Sequence, residues 1–317
     1  MAAEAVTEPG TLAALRLVCP RCRAALAAAT VGASCGGCGA TYPVEGGILD
    51  LRAGRVGAPG FDPHYFPTLA AIERDHYWFA TRREVVRDVL RDAVPDLAER
   101  ALFDVGCGSG GLVQFLGESG VRLAGACDVY PESLALVRRR VEAPLVLVDE
   151  GRFPPLAPGY TLLSLFDVLE HIDDDIGTLG HLLEILEPGG ILVLTVPAHP
   201  FLFDEMDEIA HHRRRYRRRE LGDKLRSAGF RVLRLTHFMA PLVPLVTLRW
   251  LARALPGRSS SLERRRAELR VFPVLNGLMR AVLQLERPLV RAGALPFGSS
   301  LIAVAERPRG AVVTSSP

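Results

Sequence analysis

The run Leu102-Phe103-Asp104-Val105-Gly106-Cys107-Gly108-Ser109-Gly110-Gly111, with Asp128 beyond it, constrains this chain more than any other feature. An apolar strand must run into a glycine turn and then a helix, and an acid returns about 20 residues further on. That order holds a nucleotide-like ligand: glycines let backbone approach it, and the acid accepts hydrogen bonds from ribose hydroxyls. The turn fits two spacings. Gly106, Gly108 and Gly111 satisfy G-x-G-x-x-G, whereas Asp104, Gly106, Gly108 and Gly110 satisfy D-x-G-x-G-x-G. Glycines alone do not choose between them.

The rest of the chain supplies context. With 317 residues there is room for one large domain plus a small module, or for two ordinary domains. A net charge of +2 gives no reason to expect general nucleic-acid binding. No basic start followed by an apolar core marks a secretory leader, and the most apolar window, Phe238 to Leu248, is about half a bilayer span. A cytoplasmic protein is the expectation. Strands are predicted at 101–105, 121–127, 145–148, 161–166, 190–196, 230–236 and 300–306, and helices at 111–118, 131–140, 177–186 and 217–228. A further helix runs from Thr81 to Ala93, after an aromatic stretch that includes Tyr77, Trp78 and Phe79. Such alternation predicts a doubly wound α/β sheet. Residues 1–14 read as a flexible N-terminus, 15–52 as a small cysteine module, and 53–74 as a linker. The main domain then covers 75–307, with 238–297 as a helical insertion, or lid, and 308–317 as a disordered tail.

Four of the six cysteines form two C-x-x-C turns, Cys19-Pro-Arg-Cys22 and Cys35-Gly-Gly-Cys38. Each turn presents two thiolates to one ion, and two turns complete a tetrahedral site. A module this small lacks the core to fold alone, so structural Zn2+ is the natural staple. The competing reading is a redox dithiol pair, but Gly36 and Gly37 suit a zinc knuckle. With Tyr42-Pro43-Val44-Glu45-Gly46-Gly47-Ile48-Leu49-Asp50-Leu51, the module resembles the zinc ribbon of the small activator proteins that partner tRNA and protein methyltransferases. That likeness implies a scaffold or docking role.

Three later segments separate the two glycine spacings. Phe166-Asp167-Val168-Leu169-Glu170-His171-Ile172 closes a strand, Leu186-Glu187-Pro188-Gly189-Gly190 precedes another, and the domain ends in a strand. Together with Asp104 these resemble class I S-adenosylmethionine (SAM)-dependent methyltransferases over roughly residues 75–307. The resemblance implies a seven-stranded Rossmann-like sheet and SAM as cofactor. It implies that Gly106, Gly108 and Gly110 pass close to the methionine moiety, with Asp104 orienting the loop and the α-ammonium group. Asp128 would grip the ribose, Asp149 would meet the adenine amino group with Val129 and Phe153 packing the ring, and backbone near Phe166 would meet the methionine end. For Asp149 a solvated loop acid competes with that role. The family often has Phe-Asp where this chain has Tyr160-Thr161, a position expected to lie far from the cofactor.

Methyl transfer needs a general base only when the acceptor is protonated at neutral pH. His171, His199 and His212 are candidates, and His171 sits where a central strand ends. Asp167, Glu170 and His171 also resemble the E-x-x-E-H segment of ubiquinone-pathway O-methyltransferases, which is associated with a divalent ion, with an Asp in place of the first Glu. Six arginines between 213 and 219 follow the acids Asp204, Glu205, Asp207 and Glu208. They read either as a paired, solvated surface or as a clasp in which His212, Tyr216 and an arginine hold an anion. His171, His212 and Tyr216 are the expected catalytic residues. The acceptor is expected to be a small molecule or a lipid-like, anionic one, with peripheral membrane contact through residues 238–258 as an option. An RNA or ribosome methyltransferase and a non-catalytic SAM-binding docking protein are the alternatives.

Overall fold

Apolar β-runs separated by amphipathic helices have to stack side by side, and here they join a single mixed sheet. The computed structural model describes residues 11–52, 63–149, 154–252, 272–293 and 295–310. The seven strands of the main domain are β5 (Ala101–Val105), β6 (Arg122–Asp128), β7 (Leu145–Leu147), β8 (Tyr160–Phe166), β9 (Leu186–Pro197), β10 (Arg231–Phe238) and β11 (Ser300–Glu306). They lie in the order β7-β6-β5-β8-β9-β11-β10, parallel except for β11, which is antiparallel to both neighbours. Strand order reverses at β5. That reversal opens a crevice at the carboxyl ends of β5 and β8, where ligands bind in open α/β sheets.

The helices on the two faces are α2 (Tyr77–Ala93), α3 (Gly111–Glu118), α4 (Pro131–Val137), α5 (Asp175–Ile185) and α7 (Arg218–Ser227). Their starts follow local chemistry. The Asp174 carboxylate accepts from the Gly177 amide and caps α5, and left-handed Gly229 follows the end of α7. One core layer joins Val85, Val86, Val89 and Leu90 of α2 to Leu162, Val193 and Ile302 of the sheet.

Seven strands were expected, and the sheet has eleven. The cysteine module is a four-stranded antiparallel meander of β1 (Leu26–Ala29), β2 (Gly32–Cys35), β3 (Thr41–Glu45) and β4 (Ile48–Asp50). Its last strand pairs in parallel with β7, Ile48 opposite Leu145 and Asp50 opposite Leu147. The module therefore extends the main sheet. Leu17, Leu49 and Leu51 share a core with Phe103, Val146 and Leu156. The Tyr160 hydroxyl fastens the junction, donating to the Arg16 carbonyl at 3.1 Å and accepting from the Arg16 amide at 3.2 Å. The departure at Tyr160-Thr161 thus lies where the module docks.

Two further expectations change. Part of the presumed linker is helical: α1 (Phe66–Ile72) follows a short turn of helix at Pro63–Tyr65. Residues 53–62 fall outside the described residues, as do the first ten, 311–317 and Phe153. The insertion does not cover the crevice among the described residues. Its helices α9 (Pro273–Gln284) and α10 (Arg287–Arg291), which follow α6 (Glu205–Ile209) and α8 (Val243–Ala252), pack along α2. Arg280 pairs with Glu84 at 2.9 Å and Arg291 with Asp92 at 2.7 Å, while the Asn276 side chain accepts from the Tyr77 amide at 2.7 Å. The insertion braces the helix that walls the site. Residues 253–271 lie outside the described residues.

Candidate active site

At the carboxyl ends of β5, β6 and β8 lies a cavity of about 1850 Å³. Its lining includes Asp104, Gly106, Gly108, Asp128, Val129, Asp149 and Phe166. The sequence-predicted cofactor residues therefore converge, apart from Gly110, whose added Cβ would meet Val137 at 2.8 Å inside the fold.

The glycine loop divides its labour. Gly106 (φ +81°) has no room for a side chain, because a Cβ there would stand 2.5 Å from Val168. Packing against Val168 beneath the loop therefore requires a glycine here, at a position that also lines the cavity. Gly108 (φ +52°) is the open position: a Cβ there would meet nothing within 4 Å. Asp128 holds this loop, its two oxygens accepting from the Gly108 amide at 2.8 Å and the Tyr130 amide at 3.0 Å. Each carboxylate oxygen has a second lone pair, so the acid can hold the loop and still accept from ribose hydroxyls. Asp104 is buried below, accepting from the Ser164 hydroxyl. Burial raises its carboxyl to about 7, against the smaller opposing effects of Ser164 and the Arg82 charge.

Helices α1 and α2 close the near wall, a contribution the sequence did not announce. Glu73 meets Ser109 and Arg140 across the start of α3. Arg82 pairs with Asp167 at 2.5 Å and sits over the Trp78 and Phe166 rings, 5.4 and 5.8 Å from their centroids. Thr195 donates to Asp167 at 3.1 Å. Asp167 is thereby committed to Arg82, in a left-handed backbone conformation (φ +57°) that aims it into the crevice. Arg82 and Arg83 each keep a buried Nε without a hydrogen-bond partner.

The far wall carries the titratable groups. His171 and His212 both line the cavity, their rings 4.9 Å apart edge to face. Burial lowers His171 to about 4, aided by repulsion from His212, so it is neutral at pH 7. His212 donates from Nδ1 to Asp207 at 2.7 Å, which fixes the tautomer and leaves Nε2 as the acceptor. Nε2 faces Glu170 at 3.9 Å. Glu170 is fully buried, neither of its oxygens has a hydrogen-bond partner among the described residues, and burial drives its carboxyl far above the usual range. Burial alone would raise Asp207 too, but the His212 hydrogen bond and the Arg215 charge outweigh it and hold that carboxyl low. Arg215 donates to both Asp207 oxygens at 2.9 Å. Glu170, His171 and His212 offer ligand atoms within 4.8 Å of one another. His212, not Asp167, completes that trio.

Tyr216, expected to be catalytic, is fully buried and does not line the cavity. Its hydroxyl donates to Asp175 at 2.9 Å, and burial beside that carboxylate raises its pKa. Its position is structural. The arginine run is mostly consumed the same way: Arg214 by Asp175 at 3.2 Å, Arg215 by Asp207, Arg218 by the Leu235 carbonyl at 3.0 Å. Arg213 alone of the run reaches the cavity, beside Asp173 at 3.4 Å. His199 turns away and stacks on His237, ring centroids 5.2 Å apart.

In the meander, the four cysteine sulfurs lie within 4.8 Å of one another. Cys19 and Cys38 are 3.7 Å apart, Cys22 and Cys35 3.4 Å. Those spacings are too long for disulfides and close to the edge of a tetrahedron built on zinc–sulfur bonds of about 2.3 Å. An all-thiolate set of this shape fits Zn2+, held by Cys19, Cys22, Cys35 and Cys38.

A reversal of strand order, an open glycine loop and a buried acid at the end of the next strand define a nucleotide-binding type of α/β domain, of which SAM-binding domains are one class. Comparison with known proteins agrees: residues 77–235 match the methyltransferase domain family, and the chain belongs to it. It is similar to a protein of Mycolicibacterium smegmatis described as a probable S-adenosylmethionine-dependent methyltransferase, at 27% identity over 170 residues. The matched region is 52% of this chain and 63% of that protein, so the chain spans less than two thirds of its curated relative. Among solved structures it is similar to a SAM-dependent methyltransferase from Archaeoglobus fulgidus, with a TM-score of 0.44 and 18% identity over 71% of this chain and 94% of that one. It is also similar to a candidate sarcosine dimethylglycine methyltransferase from Galdieria sulphuraria, with a TM-score of 0.48 and 14% identity over 73% and 87%. No described helix is long and apolar enough to cross a membrane.

Proposed function

We propose that this protein transfers a methyl group from SAM to a small-molecule or lipid-like acceptor that bears an anionic group. The observation carrying this reading is His212, backed by the buried Asp207, on the wall of the cavity that also holds the glycine loop and Asp128. SAM, when bound, supplies an activated methyl group. The chain's residues then have three tasks. Asp128, the Gly108 backbone and Asp104 orient the donor. Trp78, Phe79 and Phe166 exclude water around the transferring carbon. His212 takes the acceptor's proton on Nε2 while Asp207 stabilises the resulting imidazolium, the division of labour of a His–Asp pair. His171, neutral and alongside, accepts or donates one hydrogen bond and keeps a second positive charge away.

Size supports an acceptor of some bulk. Ordinary ligand pockets run to about 1000 Å³, and this cavity exceeds that. A lipid-like acceptor gains support from the exposed Leu245, Leu248 and Leu251 of α8 and from Val274, Leu275 and Leu278 of α9, an apolar display that suits peripheral membrane contact. The near-neutral charge and the consumed arginines weigh against RNA. Localisation in the cytoplasm and zinc in the ribbon belong to the same proposal. Mass spectrometry of S-adenosylhomocysteine released in metabolite, lipid and RNA extracts tests it. Release with the metabolite or lipid fraction is expected, and Asp207→Asn should lower kcat about 100-fold or more with little change in cofactor affinity. Release with RNA alone, or with none, overturns the reading.

A further inference from the structure

The two cysteine knuckles are built alike and differ at one telling position. In each, the residue after the second cysteine donates its amide to the carbonyl of the first, Arg23 to Cys19 and Gly39 to Cys35, both at 2.9 Å. In each, that residue is left-handed: φ is +66° at Arg23 and +71° at Gly39. Glycine is the residue this conformation favours, and the second knuckle has it. The first knuckle carries arginine against that preference.

It is also the first knuckle that borders the ligand cavity. Arg21, Cys22 and Arg23 line it, and none of residues 35–39 does. Placement follows from the docking of the module. Leu17 bridges to Leu156, and the Val18 amide donates to the Pro155 carbonyl at 3.0 Å. His181 of α5 meets the neighbouring Pro154 carbonyl at 2.9 Å. The knuckle therefore overlooks the side of the cavity lined by Asp149, Asp174, Thr178 and His181. Two acids near it are engaged elsewhere: Asp174 caps α5 and Asp173 faces Arg213. Among the described residues, no hydrogen bond or ion pair engages the Arg23 guanidinium. An unfavourable backbone position given to a long cationic side chain, at a cavity with room for a second ligand, marks that side chain as wanted for itself.

We propose that Arg23 binds an anionic group, phosphate or carboxylate, of the methyl acceptor, making the zinc ribbon one wall of the acceptor site. The inference rests on the methyltransferase reading above and deepens it by naming what recognises the acceptor. A guanidinium fork suits either anion in two-point contact, and the metal-held turn fixes where the fork sits.

The test uses the full chain saturated with S-adenosylhomocysteine and titrated with inorganic phosphate and, separately, acetate, following side-chain and backbone amide shifts by NMR. Phosphate binding with weak acetate binding identifies a phosphate acceptor, and the converse a carboxylate. Arg23→Gly restores the residue the turn favours. It should keep its zinc content, its S-adenosylhomocysteine affinity and a melting temperature equal to or above the parent's, yet bind the preferred anion at least tenfold more weakly. Arg23→Lys should fall between the two. Binding of neither anion by the parent, or unchanged binding by Arg23→Gly, overturns the proposal. Loss of S-adenosylhomocysteine affinity in Arg23→Gly overturns it too, by moving Arg23 to the cofactor. Failure of the parent to bind S-adenosylhomocysteine at all would instead sink the methyltransferase reading.

Discussion

Asp104 sits under the glycine loop with its carboxyl raised to about 7 by burial. In the unfolded chain an aspartate ionises near 3.9. Between those values the folded chain keeps a proton that the unfolded chain has lost. Stability from this group is therefore full at acid pH and is lost as pH rises toward 7. Each pH unit separating the two ionisations costs about 1.4 kcal/mol, so the whole penalty is on the order of 4 kcal/mol, and about 2–3 kcal/mol of it falls between pH 5 and 7. Asp104→Asn removes the titration while its amide oxygen can still accept from Ser164. Urea unfolding of parent and variant, run side by side from pH 5 to 8.5, reads the difference directly. The variant should gain on the parent by roughly 1.4 kcal/mol per pH unit up to about pH 7, then hold a constant lead. If Asp104 orients the donor as proposed, the variant should also bind S-adenosylhomocysteine more weakly, because its charge is gone. A stability difference flat across the range would refute the argument that burial, and not a local charge, governs this acid.

Two further outcomes follow from the same geometry. Tyr216→Phe should cost about 1–2 kcal/mol by removing a buried hydrogen bond to Asp175, with kcat unchanged; a large loss of kcat at full stability would return Tyr216 to the catalytic set. Cys35→Ser should drop bound zinc, measured by plasma mass spectrometry, from one equivalent to none and lower the melting temperature of the whole chain, because the meander shares a core with the main sheet. Retention of metal, or loss of metal with no change in melting, would contradict that coupling.

Local signals told the most where local chemistry decides. The helix after the glycine turn begins at Gly111 and ends at Glu118, as its apolar spacing requires, and β5 and β11 have the bounds their apolar runs suggest. Convergence of Asp104, Asp128 and Phe166 was legible because consecutive parallel strands all end on one side. Annexation of the ribbon was not: the pairing of Ile48–Asp50 with Leu145–Leu147 joins residues far apart in sequence. Only Tyr160, a departure from the family's usual Phe-Asp, hinted at the junction. Tyr216 misled because a motif gives position and not direction; its side chain points into the core. The Asp207–His212 pair was hidden inside a run of charges that reads as solvated surface, and burial of Asp207 is what distinguishes it. Arg23 would have been visible by laying one knuckle over the other, where Gly39 marks the residue the turn prefers.

The most direct measurement is a calorimetric titration of S-adenosylhomocysteine into the intact chain and into Asp128→Ala. One molecule should bind the parent, and the variant should bind at least tenfold more weakly, since Asp128 fixes Gly108 and, in the function proposed, also orients the donor. Equal affinity in the two proteins, or no binding to the parent, would contradict the assignment of this cavity to SAM.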